Sequence, residues 1–326
     1  MNNTNNLAEN YLYDFASEPL KTLLVDRTTR KNIIWATDEY AHLGDGYGSS
    51  QQIRAQYISG IFGQIIMPRS KKTRAQQNMR IREKAEVFTP SWVCNCQNNL
   101  VDQAWFGKNG VFNTETEKGW QTNYDKVAFP DEKGKGWQDY VKENRLEITC
   151  GEAPYLASRY DTVTGAAIPV KDRIGLLDRK MRIVCENTDN ESDWKLWAKK
   201  ALQSVYGYDW QGDNVLLARE NLLFTMDDYY RETFGKVPSV QFLSECARII
   251  SWNVWQMDGL KFVVPNSCHK ETQTELTIFG EETTETACTG CRKNDPSKHN
   301  GTYCRIYDWS ANRSVEFYSI YKGARK

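Results

Sequence analysis

Histidine is scarce in this chain: three residues in 326, at positions 42, 269 and 299. None stands in a Gly-x-Ser-x-Gly or Cys/His nucleophile setting, which removes the usual signals of a serine or cysteine hydrolase. There is no Gly-x-x-x-x-Gly-Lys-Ser/Thr stretch, so a P-loop nucleotide hydrolase is excluded as well. No run approaches the ~18 apolar residues that a membrane span needs. The N-terminus, MNNTNNLAEN, has no apolar signal core. The sequence therefore reads as a soluble, cytoplasmic protein. Net charge is missing too: 42 Lys and Arg balance 42 Asp and Glu, so there is no global basic footprint for nucleic acid. Short nuclease-like strings such as Glu143-Asn-Arg and Glu83-Lys-Ala do not fit an Asp…Glu-x-Lys core.

What is present in quantity is aromatic and sulfur. Eleven Trp and 17 Tyr imply a large aromatic core. Nine cysteines in a cytosolic chain are expected to be thiols or metal ligands rather than a disulfide frame. Local basic residues cluster at Arg69, Lys71, Lys72, Arg74, Arg80, Arg82 and Lys84; such a run is expected to be a solvated face. A charged stretch, RYDTVTGAAIPVKDRIGLLDRK, is expected to be a salt-bridged surface element.

Along the chain, residues 7 to 30 read as a helix ending in a basic turn, and 71 to 86 as a polar helix. A further helix runs over 86 to 106, with Thr89 as its N-cap and Pro90 at its first position. Residues 107 to 137 are rich in Gly, Asn, Lys and Asp and read as a long loop or a small hairpin. LEIT (146 to 149) and VYGYD (205 to 209) are strand candidates. Between 214 and 235, Val215, Leu216, Ala218, Leu222, Leu223 and Met226 recur at helical spacing, with Gly235 as a C-cap. SVQFLSECARIISWN (239 to 253) is a helix running into a strand. Alternating strands and helices predict an α/β fold with a parallel sheet, whose ligands bind beyond the carboxyl ends of the strands. Those ends carry Cys150-Gly151-Glu152, Asp209 and Asp258. An acid ending the second strand is suited to accepting ribose hydroxyls.

The order EVFTPSWV, EITCGEAPYL, VYGYDWQGDNVLLARENLL, WNVWQMDGL resembles the adenine-N6 DNA methyltransferases, the modification (M) subunits of restriction-modification systems. The resemblance spans residues 86 to 265. It implies a Rossmann-like sheet that binds S-adenosylmethionine. On the matching positions it implies that Phe88, Thr89 and Pro90 wall the cofactor, that Glu147, Thr149, Cys150 and Gly151 hold its methionine end, that Asp209 takes the ribose, that Trp210 covers the adenine, and that Asp258 meets the adenine amine. The usual loop, Asp-Pro-x-Cys-Gly-x-Gly-x-Phe-Leu, is altered here. Ala153 replaces the second glycine and is poorly suited to positive φ, and Pro154 stiffens the turn.

The family's catalytic strand ends in Asn/Asp-Pro-Pro-Tyr/Phe, which holds and stacks the flipped base. The chain has no such string, and Asn294-Asp295-Pro296-Ser297 lacks the second Pro and the aromatic. The Pro-Cys pair of the cytosine-methylating enzymes is absent too. No catalytic residue can be assigned, and in longer relatives the catalytic strand follows close after the position where this chain ends. Three readings remain: a subunit whose partner supplies the catalytic strand and the DNA target recognition, a non-catalytic regulator that binds the cofactor, and an adaptor for protein or nucleic acid.

Finally, Cys288-Thr-Gly-Cys291 is a CxxC in a turn, with Cys268 upstream and Cys304 downstream. Together they predict a tetrahedral structural zinc, with His269 and His299 as alternative ligands, against the reading of four reduced surface thiols. The expected division is an N-terminal helical region (1 to 85), a methyltransferase-like domain (86 to 265), a Cys-rich insertion (266 to 307) and a C-terminal tail (308 to 326).

Overall fold

A computed structural model describes residues 18–63, 65–84, 89–277 and 280–324. Phe88 lies outside the described residues, as do residues 7–17 of the expected first helix. Residues 18–24 form helix α1. It does not reach residue 30, because Asp26 takes the amides of Thr28 and Thr29 and turns the chain into a bridge between Val25 and Asn32. Short 3-10 turns follow, then α2 (Arg74–Lys84) and α3 (Ser91–Phe106). Helix α3 starts later than the sequence suggests. Pro90 occupies the N-cap and offers no side-chain cap. The orphan amide of Ser91 is taken instead by Asp161, 2.7 Å away and 70 residues on.

Residues 107 to 137 contain the hairpin β1 (Asn113–Thr116) and β2 (Gly119–Thr122), followed by α4 (Trp137–Lys142). The centre is a three-stranded parallel sheet in the order β3 (Arg145–Ile148), β4 (Val205–Asp209), β5 (Val254–Gln256). Helices α5 (Leu176–Asn187) and α6 (Glu191–Gln203) cross from β3 to β4. Helices α7 (Gly212–Phe234) and α8 (Val240–Asn253) cross from β4 to β5. The α/β alternation is thus present in a mixed α/β fold, with one small parallel sheet and three antiparallel strand pairs among the described residues. Gly235 ends α7 at φ 64°, as its position implies.

Alternation along β4 gives the sheet two faces. Val205, Gly207 and Asp209 are buried, and the α7–α8 side belongs to a core running from Leu20 to Val254. Tyr206 and Tyr208 turn to a second cluster around Trp255, Met257, Phe262 and Cys304, closed by the hairpin β8 (Arg305–Asp308) and β9 (Arg313–Glu316) and by α10 (Phe317–Ala324). Opposite the tyrosines in register stand Leu146 and Ile148 of β3, exposed to 45% and 63%. Among the described residues no strand pairs with the outer edge of β3.

Two charged runs are surface elements only in part: Lys71, Arg74 and Arg82 are exposed as expected, and Arg159 and Arg173 pair with Asp228, but other members turn inward. Lys72 and Arg80 are buried. Arg80 pairs with Asp213 at 2.8 Å and Glu39 at 2.7 Å, and Lys72 lies 3.6 Å from Asp213, which also accepts from Tyr40. Burial acts to raise the Asp213 carboxyl, but the charges of Arg80 and Lys72 and the hydrogen bonds from Arg80 and Tyr40 together hold it far below its usual range. Asp178 and Arg179 are likewise buried. Asp178 takes the amide of Ser158, and Arg179 pairs with Asp102 while bonding Asn95 and Asn99. Helix periodicity alone does not distinguish a charged face turned to water from one turned to a buried counter-charge.

Candidate functional site

A cavity of about 1010 Å³ opens at the carboxyl ends of β3 and β4. This is where a parallel sheet leaves room for a ligand, and its size suits a cofactor. The loop after β3 forms its floor. Thr149, Gly151 and Ala153 all sit at positive φ (48°, 53° and 60°), so the loop keeps its left-handed turns without the second glycine. For a β-branched residue such as Thr149 this is an outlier, and such strain costs of order 1–3 kcal/mol. Ala36, across the cavity, also has φ 63°.

Buried acids fix the loop. Glu147 accepts from the amides of Leu156 (3.1 Å) and Tyr155 (3.4 Å). Asp209 accepts from Gly151 N (2.9 Å) with one oxygen and from Gln211 N (2.9 Å) with the other. Glu152, fully buried, takes Arg69 N and Tyr160 Oη at 2.6 Å each. Burial drives the Glu147 carboxyl up to about 8; Asp209 pushes the same way, and the two amides oppose it. A cation entering the cavity would favour the ionised form of Glu147. An uncharged sugar would instead find acceptors at Asp209.

The expected cofactor residues are spread unevenly around this cavity. Thr89, Glu147, Thr149, Gly151, Asp209 and Trp210 line it. Cys150 contributes backbone only. Its thiol turns inward, 3.2 Å from where a Cβ on Gly207 would stand, and burial first, then Asp209, pushes its pKa far up. Pro90 caps α3 and does not line the cavity. Trp210 stands on the boundary with a smaller cavity, its Nε1 donating to Ala36 O at 3.4 Å. Asp258 lies in that smaller cavity. Its carboxylate accepts from the amides of Leu260 and Lys261 and pairs with Lys261 Nζ at 3.2 Å. Sequence reasoning missed Gln97, Asn98, Gln211 and Asn214, polar residues that α3 and the start of α7 bring to the wall. An Asn or Gln in a helix gives no sequence signal of its own.

Beyond Trp210, the smaller cavity borders a cysteine cluster. Cys268, Cys288, Cys291 and His299 bring their ligand atoms within 4.8 Å of one another. The Nδ1 of His299 stands 3.6 Å from Cys268 Sγ and 3.7 Å from the sulfurs of Cys288 and Cys291. With Zn–S near ~2.3 Å and Zn–N near ~2.05 Å, a tetrahedron places N and S about 3.6 Å apart, so the residues fit that geometry. Cys288 N-caps α9 (Thr289–Lys293), and its sulfur accepts from Cys291 N. Burial acts to raise the Cys288 thiol, but the amides of Asn300 and Cys291 and the ring of His299 bring it down to about 6. Gly290 is required by its neighbour, because a Cβ there would lie 2.6 Å from His299 Nδ1.

Cys304 is not part of this cluster. It is fully buried in the second apolar cluster, its amide bound to Phe262 O and its sulfur 3.4 Å from Gln256 O. The chain enters β8 at this point, and the pleat points the side chain inward. His299 takes the fourth place. All nine cysteines are free thiols.

Among the described residues no helix is long and apolar enough to cross a membrane. No family model matches the chain, and neither a curated protein nor a solved structure matches it.

Proposed function

We propose that the chain is the S-adenosylmethionine-binding subunit of a cytoplasmic DNA adenine-N6 methyltransferase complex. On this reading it has a methyltransferase-like Rossmann fold and a structural zinc on Cys268, Cys288, Cys291 and His299. The observation that carries it is Asp209. This acid ends the middle parallel strand, faces a cofactor-sized cavity and grips the amide of Gly151 in the loop that forms the cavity floor. Glu147 adds a second carboxylate suited to a cationic cofactor, and Trp210 adds a flat wall. Bound there, the cofactor would supply the methyl group, and these residues would bind and orient it.

The catalytic strand is assigned to a partner. A doubly wound sheet places its fourth strand against the first, which here is the outer edge of β3. That edge is unpaired among the described residues, and Leu146 and Ile148 beside it extend the aromatic face of Tyr206 and Tyr208. A strand from the partner would cover both, and target recognition would come with it. The lack of an Asn/Asp-Pro-Pro string in these residues favours a second reading, a methyltransferase-like adaptor or regulator without chemistry.

Calorimetric titration of S-adenosylmethionine into the chain, with Asp209→Ala and Asp209→Asn beside it, tests the proposal. Stoichiometric binding that weakens at least ~10-fold in the alanine variant, about 1.4 kcal/mol, is expected. Equal binding by all three proteins would remove Asp209 from the site. Binding to none, in the presence or absence of the partner, would leave the adaptor reading.

A further inference from the structure

A second cleft, of about 660 Å³, lies at the other end of the sheet, where the chain enters β5. The 25–30 turn, the end of α8 and the β8–β9 hairpin enclose it. Its charged lining is four arginines, Arg27, Arg30, Arg305 and Arg313, and no Asp or Glu. Among the described residues none of the four is ion-paired. The acids opposite in register, Glu316 to Arg305 and Asp308 to Arg313, form no close ion pair with them; Asp308 takes the amides of Ser310 and Ala311, and the Ser310 hydroxyl and these amides, with a smaller part from the Arg313 charge, hold its carboxyl below the usual range. Two guanidiniums are instead held by neutral acceptors. Arg27 Nε donates to Ser251 Oγ at 2.8 Å, and Arg305 donates to Ser314 Oγ and O. Such anchoring fixes the planar forks and leaves the remaining N–H groups for a ligand.

The charge behind the cleft has the same sign. Arg219 is fully buried and donates to the carbonyls of Leu23, Val25, Ser251 and Val254, with no carboxylate among them. Burial lowers the pKa of Arg27, and Arg248 lowers it further. Burial brings Arg219 down to about 9; Asp26 opposes this and Arg27 adds to it. Cations crowded in this way are relieved by a bound anion. The wall is aromatic as well: Tyr307 packs 5.3 Å from Trp252, over which Arg27 lies at 5.9 Å.

We propose that this cleft binds the phosphodiesters of a nucleic-acid strand. Arginine forks positioned for phosphate beside aromatic rings are the combination that tracks a strand's backbone. The arginines come from two elements, the 25–30 turn and the β8–β9 hairpin, which face each other across the cleft. The inference goes beyond the cofactor reading and does not depend on it.

The test uses the full chain and a fluorescein-labelled oligonucleotide of about 20 nucleotides, followed by anisotropy from about 50 to 200 mM salt. The comparison is Arg305→Ala/Arg313→Ala, both exposed positions, with a repeat as Arg313→Glu. The expected result is at least ~10-fold weaker binding and a log–log salt slope smaller by about 1.5, as for two lost phosphate contacts. S-adenosylmethionine titration of the same variants reads the cofactor site separately and stays unchanged if they fold. Oligonucleotide binding with wild-type affinity and slope in both variants would overturn the proposal. So would inorganic pyrophosphate that binds the wild-type cleft as tightly as the oligonucleotide and displaces it.

Discussion

The loop from Thr149 to Leu156 and the module from Cys268 to His299 are both short, both contain cysteine, and both border Trp210, yet they are held in opposite ways. The loop is held by the protein itself. Buried carboxylates of Glu147, Glu152 and Asp209 collect backbone amides, and three residues accept positive φ in return. The module has little apolar burial. Its sulfurs converge on one imidazole, and its hairpin, β6 (Glu271–Thr277) with β7 (Gly280–Thr286), is rich in Thr and Glu. The loop's geometry rests on buried carboxylates, whereas the module's rests on four side chains that could hold a metal ion.

Metal loss should produce the largest difference between the two. Purified chain is expected to carry about one equivalent of zinc by elemental analysis, and His299→Ala to lose it with at least ~100-fold weaker affinity. Protease sensitivity should then appear within 266 to 304, while the proposed cofactor loop, titrated with S-adenosylmethionine, should differ from the wild type by no more than about threefold. Cys304→Ala should keep its zinc, and loss of the metal there would return Cys304 to the ligand set.

Protonation should separate them next. The Glu147 carboxyl titrates near 8 when folded and near 4.5 otherwise, so the folded state holds the proton more tightly. Its contribution to stability is therefore complete below about pH 4.5 and is lost as pH rises through 8, by at most ~1.4 kcal/mol per pH unit. Urea unfolding at stepped pH should show this slope in the wild type relative to Glu147→Gln. Parallel curves for the two proteins would mean that Glu147 is not held protonated.

The smallest effect tests the strain. Thr149 is exposed and at φ 48°. Replacing it with Gly should leave stability unchanged or raise it by up to ~1 kcal/mol, where Thr→Gly at an ordinary exposed position costs about that much. A loss of 1 kcal/mol or more in denaturant melts would show that the turn is unstrained.

Much of the sheet was legible, because strand and helix periods differ and LEIT, VYGYD and the 214–235 helix follow them closely. The helix start at Ser91 was not, because its cap arrives from Asp161, far along the chain. The same holds for the candidate metal ligands. Spacing marks Cys288 and Cys291, but choosing between Cys304 and His299 depends on which way the pleat points residue 304. The arginine cleft was invisible for a related reason: near-zero net charge conceals a local excess assembled from two distant segments.

Arg219 has a further consequence, one of timing. Its guanidinium takes carbonyls left open at the ends of two helices, Leu23 in the last turn of α1 and Ser251 in the last turn of α8. Gln256 bonds back to Ile34 in the same way, 222 residues away. On a ribosome, the segment from Leu23 to Ile34 therefore cannot complete these contacts until Gln256, 222 residues after Ile34, has been made. Until then that segment is available to a chaperone or a protease.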